Sequence, residues 1–296
     1  MLDDLFRILE TRARLGRQTV AYPDGPVRLP ERFRGRPALD PSRCVDGCRA
    51  CAEACPTDAV LDPGSPSMRL DMGRCLFCAD CQQACPEGAL RFTRDYRLSM
   101  RTREGLRAAG DEPRLAEALD RKMRRLFGRS LRLRQVSAAG CNGCEAELNA
   151  AGNVQFDLSR FGISFVASPR HADGLVVTGP VSENMRPALL ETWKATPAPR
   201  LVVAVGACAC SGGIFRDGPV QAGGMPGVPE IPVDLWIPGC PPHPITVLDG
   251  LLRLLGRIEG DALRLAGTGV VEAAGGPASS PGGAAPGRQG TSPGHV

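Results

Sequence analysis

The chain has 296 residues, 36 basic against 32 acidic side chains, a formal net charge of +4 and 13 cysteines. That length allows roughly two domains of about 150 residues each, no apolar run approaches the ~18 residues of a membrane span, and no charged, apolar, small-residue leader opens the sequence. Without a secretory signature the cysteines point to metal ligands rather than disulfides, and the small charge makes no general case for nucleic acid.

Leu2, Leu5, Phe6 and Leu9 fall at helical spacing and predict a short amphipathic helix that packs on its own domain. Pro23, Pro26, Pro30, Pro37 and Pro41 follow with little periodicity, so the rest of residues 1–39 is expected to be an extended arm that wraps another element.

Residues 40–95 hold the densest signal, Cys44, Cys48, Cys51 and Cys55-Pro56, then Cys75, Cys78, Cys81 and Cys85-Pro86. The second set has the C-x2-C-x2-C-x3-C-P spacing of a bacterial ferredoxin, in which three close thiolates hold one four-iron cluster and the cysteine before proline reaches the other. The crossing predicts Cys44, Cys48, Cys51 and Cys85 on cluster one, and Cys75, Cys78, Cys81 and Cys55 on cluster two. Zinc knuckles, the structural alternative, pair C-x2-C units across a long spacer and do not produce two sets each ending in Cys-Pro. One extra residue lies between Cys44 and Cys48, and Gly47 is expected to absorb it at positive φ. Short strands are predicted at Ala59–Leu61, Met68–Leu70 and Leu90–Phe92, within a compact α+β module whose halves repeat as Cys-Pro-Thr-Asp-Ala-Val and Cys-Pro-Glu-Gly-Ala-Leu.

Residues 96–130 read as a basic helical connector: from Arg97 to Arg134 there are twelve basic residues against five acidic ones. With no aromatic interleaving for base stacking, a solvated helix face or docking onto an acidic subunit is the expectation, and nucleic acid is not. From residue 131 to 260, apolar runs at Ile163–Ala167, Leu175–Thr178, Leu201–Val205 and Leu235–Ile237 alternate with helices at Glu183–Thr196 and Ile245–Arg257. That alternation predicts an α/β domain with a flavodoxin-like parallel sheet. Residues 267–296 turn to Gly, Ala, Pro and Ser and are expected to be a disordered tail.

Within the α/β domain, Cys141 and Cys144 follow a short apolar run, and Cys208 and Cys240 each follow a β-like run. Ligands collect at the carboxyl ends of parallel strands, so the four read as one thiolate site, for zinc or an iron-sulfur cluster. Twelve of the thirteen cysteines are then used, and Cys210 is left as a buried spectator. Ser211-Gly212-Gly213 lacks the spacing of a phosphate loop and is expected to let the backbone approach the cluster.

Gly140-Cys141-Asn142-Gly143-Cys144-Glu145, Ser168-Pro169-Arg170-His171-Ala172-Asp173, Gly206-Ala207-Cys208 and Trp236-Ile237-Pro238-Gly239-Cys240-Pro241-Pro242 resemble the small subunit of energy-converting nickel-iron hydrogenases of the formate hydrogenlyase type. They also resemble the homologous 20-kDa, B-type subunit of complex I. Tyr22-Pro23, Phe33-Arg34-Gly35 and Gly73-Arg74-Cys75-Leu76-Phe77-Cys78 resemble the two-cluster ferredoxin-like subunit of the same complexes, here fused to the other.

The resemblance implies three 4Fe-4S clusters, with a proximal one on Cys141, Cys144, Cys208 and Cys240. It also implies a large partner carrying the nickel-iron centre (or a complex I-like 49-kDa-type subunit), and membrane subunits that hold the assembly at the cytoplasmic face. Arg170 matches a family arginine near that cluster, which implies hydrogen bonds to its sulfurs; Glu147 matches a family glutamate, with proton handling, partner contact or a plain surface carboxylate all open. Complex I has its first two ligands adjacent, whereas Cys141 and Cys144 are three apart as in the hydrogenases. The expected function is therefore electron relay for a hydrogenase, with a complex I-like quinone oxidoreductase and a zinc-scaffold protein as alternatives. No residue of this chain is expected to act as a catalytic acid, base or nucleophile.

Overall fold

The computed structural model describes residues 2–110, 115–219 and 222–258; the predicted disordered tail lies outside them. An N-terminal helix, α1 (Leu2–Leu15), leads into the arm. The first module contains β1 (Pro37–Leu39), α2 (Ala50–Glu53), β2 (Val60–Leu61), β3 (Arg69–Asp71), α3 (Asp80–Ala84), β4 (Leu90–Phe92) and β5 (Arg107–Ala108). The second contains α4 (Arg121–Phe127), β6 (Leu131–Ser137), α5 (Gly143–Ala151), β7 (Ile163–Phe165), β8 (Gly174–Thr178), α6 (Met185–Ala195), β9 (Leu201–Val205), α7 (Ala207–Ser211), β10 (Leu235–Ile237) and α8 (Pro244–Leu254).

The second module is the predicted α/β domain. Its five strands are all parallel, in the order β10-β9-β8-β6-β7, which is the flavodoxin order with its switch point between β6 and β8. Strands β8 and β9 are buried throughout because helices or the other module cover both faces. One face, with Val176, Val203, Val205 and Ile237, packs on α5 and on α8, a wholly buried helix whose start is fixed by Pro244 and by His243 Nδ1 accepting Ile245 N–H at 3.2 Å. The other face, with Val136, Val177, Val202 and Ala204, shares a core with α6, α7 and the first module.

The first module is the ferredoxin-like α+β unit. Strand β1 pairs with β4, and β2, β3 and β5 form a second antiparallel sheet. Gly47 takes the expected positive φ, 72°, at the inserted residue.

Three expectations are corrected. Helix α1 does not pack on its own domain: Leu5, Phe6, Ile8 and Leu9 are all more than half exposed. The basic connector is helical only in α4. Before α4, Tyr96–Met100 is buried and not helical, Met100 exchanges two main-chain hydrogen bonds with Trp236, and Ala108 of β5 pairs with Leu70 of β3. Nor is the basic charge simply solvated. Arg97 forks onto Asp95 at 2.8 and 2.7 Å, and Arg103 forks onto Asp71 at 2.8 and 2.9 Å while its Nε donates to the Cys210 carbonyl at 2.8 Å. A local charge count misses this because the acids lie outside the counted window.

The arm wraps the second module as expected. Val20 N–H donates to Gln155 O, and Tyr22 donates its hydroxyl to buried Asp249 at 2.7 Å, where Arg253 also bonds the carboxylate. Removing one partner of a buried ion pair leaves an uncompensated charge. Arg103→Ala should therefore lower stability against denaturant by about 3–5 kcal/mol. Arg69→Ala, which breaks a half-exposed pair with Asp62, should cost about 0–1 kcal/mol.

Candidate metal centres

Each quartet is assembled by short, sequence-encoded supports. Cys51 and Cys81 are the buried residues of α2 and α3, one in each half of the repeat. The repeat also recurs in the hydrogen bonds, since Ala59 N–H donates to Cys55 Sγ and Ala89 N–H to Cys85 Sγ, both at 3.2 Å. Phe77 N–H donates to Cys75 Sγ at the same distance. In the second module Cys141 and Cys144 sit at the β6–α5 turn, Cys208 enters α7 just after β9, and Cys240 follows β10. All four occupy the carboxyl end of the sheet.

Electrostatics define the grouping. Burial raises the Cys51 thiol pKa, and Cys85, Cys44 and Cys48 raise it further; those four sulfurs also line one cavity. Burial also raises Cys75, against which Cys81, Cys55 and Cys78 press. Cys144 is raised by burial, then by Cys208, Glu145, Cys240 and Cys141. These influences run among Cys44, Cys48, Cys51 and Cys85, among Cys55, Cys75, Cys78 and Cys81, and among Cys141, Cys144, Cys208 and Cys240. Leu76 and Phe77, between Cys75 and Cys78, line one cleft with Cys240, and Cys51 and Cys81 lie in one buried core. Spacing alone left open which ferredoxin site lies next to the proximal quartet, and in the structure it is the Cys75 set.

Among the described residues, no three His, Cys, Asp or Glu side chains close to the spacing of a single metal ion. The fit to a larger group rests on two features. Burial holds Cys81 up to about 12 and Cys208 up to about 11, so these thiols carry charge only beside a compensating cation such as iron. The backbone also approaches closely where a side chain would intrude. Gly206, at φ 91°, leaves room that a Cβ would take from Cys144 Sγ, and a Cβ at Gly213 would come to 2.9 Å of Cys208 Sγ.

Arg170 is not brought to the quartet. It is exposed and precedes the amino end of β8, whose five residues separate it from the carboxyl end where the thiols gather. The matching motif fixed its place in the chain but not the end of the sheet it occupies. Cys210 is fully buried and its thiol donates to Ile237 O at 3.8 Å. Glu147 is half-buried, its pKa raised by burial, and it lines a cleft with Cys240, Phe77 and Arg34.

Two contributors were missed. Glu145 is buried beside Cys144, and although burial opposes its charge, hydrogen bonds from Ser137 and Thr178, the latter at 2.6 Å, hold its pKa below the usual range. Its spacing from Leu148 and Ala151, the other buried residues of α5, was a readable signal. Arg216 ties the modules together at the thiol end by donating to Thr57 O and Asp58. Its acceptors lie about 160 residues away in sequence, so no local pattern marks it.

Two families match this chain. The 4Fe-4S dicluster domain covers residues 35–90, so iron-sulfur clusters are the cofactor of the first module. The family described as NADH ubiquinone oxidoreductase, 20 Kd subunit covers residues 141–254. Formate hydrogenlyase subunit 7 of Escherichia coli is 46% identical over 44% of this chain and 51% of its own length. A probable membrane-bound hydrogenase subunit, mbhJ, of Pyrococcus furiosus is 39% identical over 45% of this chain and 79% of its own. The B-type subunit of the NADH-quinone oxidoreductase of Desulfovibrio desulfuricans is 45% identical over 41% of this chain and 64% of its own. The chain therefore belongs to the 20-kDa subunit family of NADH:ubiquinone oxidoreductase, joined to a dicluster ferredoxin module. The match spans only about half the length of the formate hydrogenlyase relative.

Gly206→Ala should remove the proximal centre alone. Anaerobically purified variant should lose about four iron atoms per chain while the paramagnetic signals of the first module survive; unchanged iron content would refute the close-approach account.

Proposed function

We propose that the chain is a one-electron relay subunit with three 4Fe-4S sites in the order proximal, cluster two, cluster one, serving a membrane-associated nickel-iron hydrogenase complex. The observation that carries this reading is the arrangement of the thiol sets, with Cys240 in one cleft with Leu76 and Phe77 of the second set and Cys81 in one buried core with Cys51 of the third. Iron-sulfur clusters supply one-electron exchange when bound, and the residues here do the rest. Cys141, Cys144, Cys208 and Cys240 would hold the proximal group, Cys75, Cys78, Cys81 and Cys55 the second, and Cys44, Cys48, Cys51 and Cys85 the third. Main-chain N–H groups of Ala59, Phe77 and Ala89 donate to cysteine sulfurs, which tunes a bound cluster's potential.

Exposure supports a division of ends. Cys141 and Cys240 are exposed, as is suited to a face covered by the large subunit. At the other end Val45, beside Cys44, is exposed, which suits exchange with an external donor or acceptor. No described helix is long and apolar enough to cross a membrane, so attachment at the cytoplasmic face would run through other subunits.

The separation of Cys141 from Cys144 favours hydrogenase over the complex I-like alternative, in which quinone would be the acceptor. The test uses the complex purified with its partners. Hydrogen should reduce a viologen dye, and Cys240→Ser should remove most of that rate. Quinone reduction without any hydrogen-dependent activity would instead identify the complex I-like assembly.

A further inference from the structure

The proximal and second thiol sets belong to different modules, so neither module alone fixes the gap between them. Two arginines cross it, and both meet the short segment that carries Cys208. Arg103 Nε donates at 2.8 Å to the carbonyl of Cys210, two residues after Cys208 on α7, while its Nη groups fork onto the Asp71 carboxylate at 2.8 and 2.9 Å. Asp71 in turn builds the turn that presents Cys75. Its carboxylate accepts Gly73 N–H at 2.9 Å, and its carbonyl accepts Cys75 N–H at 3.1 Å. One guanidinium thus bonds the helix of a proximal-set thiol and the support of a second-set thiol at once.

Arg216 repeats the arrangement at another second-set thiol. It follows Gly212 and Gly213, whose main chain packs on Cys208: Gly212 N–H donates to Cys208 O at 2.7 Å, and a Cβ at Gly213 would press on Cys208 Sγ. Its Nη groups donate to Thr57 O at 3.3 Å and to the Asp58 carboxylate at 3.0 Å. Both acceptors lie on the turn that leaves Cys55, which Ala59 N–H closes by donating to Cys55 Sγ at 3.2 Å. Cys55 and Cys75 come from different halves of the repeat, so the second set is held at two separate points.

We propose, resting on the relay reading, that Arg103 and Arg216 form a two-point clamp that fixes the separation of the proximal and second centres, and with it the rate at which an electron passes between them. The shared apolar core already joins the modules. What sets these arginines apart is that their acceptors, Asp71, Thr57, Asp58 and Cys210, each lie within four residues of a thiol of the two sets. A planar guanidinium donates in several fixed directions together, whereas a lysine ammonium is a flexible point charge. Lysine would therefore keep the charge at either position and lose the bridge.

The test uses Arg103→Lys and Arg216→Lys in the complex purified with its partners. Both variants should keep the wild-type iron content. The magnetic splitting between the chemically reduced proximal and second clusters should shrink, and reduction of the second cluster by hydrogen, followed by freeze-quenched paramagnetic resonance, should slow several-fold. Wild-type splitting and rate in the iron-loaded variants would overturn the clamp. So would a loss of iron with unchanged splitting in the loaded fraction, which is what a purely stabilising role predicts. Where Arg103→Lys fails to load iron, Arg216→Lys decides, because its Asp58 partner is largely exposed and the pair is tolerant of change. A wild-type complex whose second cluster hydrogen never reduces would count against the relay reading instead, and the splitting after chemical reduction would still judge the clamp.

Discussion

Thiol sulfurs gathered in one place repel one another when they ionise, and burial has already raised the pKa values of Cys51, Cys75 and Cys144 before any neighbour is counted. Such thiols stay neutral on their own and ionise only beside a compensating cation, which is what a bound iron-sulfur cluster would supply. The ferredoxin module is too small to bury a large apolar core, and eight of its residues are cysteines directed at two sites. The α/β module gathers its thiols differently, using a five-stranded parallel sheet to bring Cys141, Cys144, Cys208 and Cys240 from three separate strand ends to one edge.

Fusion of the modules is physical as well as covalent. A single apolar core runs from Leu70 and Leu106 of the first module to Val177 and Trp236 of the second. Three polar ties cross the same boundary: Arg103 from Asp71 to the Cys210 carbonyl, Arg216 to Thr57 and Asp58, and Met100 paired with Trp236. Buried ion pairs add little net stability but penalise wrong partners. Across the same boundary Leu76 and Phe77 share a cleft with Cys240, and that adjacency supports the proposed order of the sites.

What was legible in the sequence follows from how local the signal is. Cysteine spacing led to the two proposed ferredoxin sets and strand ends to the third, and apolar runs marked β8, β9 and β10, because buried strands are apolar at every position. Strand β6 was not marked as one, since Leu-Arg-Leu-Arg-Gln-Val-Ser mixes charge into a strand with one partly open side. The basic stretch after residue 96 misled for a related reason: Arg97 and Arg103 look like surface charges until Asp95 and Asp71 are seen beside them. Arg170 shows the limit of motif matching, which transfers a position in the chain without its surroundings. Helix α1 was legible as a helix, but its exposed apolar face depends on what the rest of the chain leaves uncovered.

The central claim is that each of the three thiol sets holds a four-iron cluster and that the sets lie in a row. Iron, zinc and acid-labile sulfide should be measured on anaerobically purified chain, together with a paramagnetic resonance spectrum after reduction. The account predicts about 12 iron and about 12 sulfide per chain, the sum for three four-iron clusters, with signals split by interaction between neighbouring reduced clusters. Zinc in place of iron, without acid-labile sulfide, would contradict it.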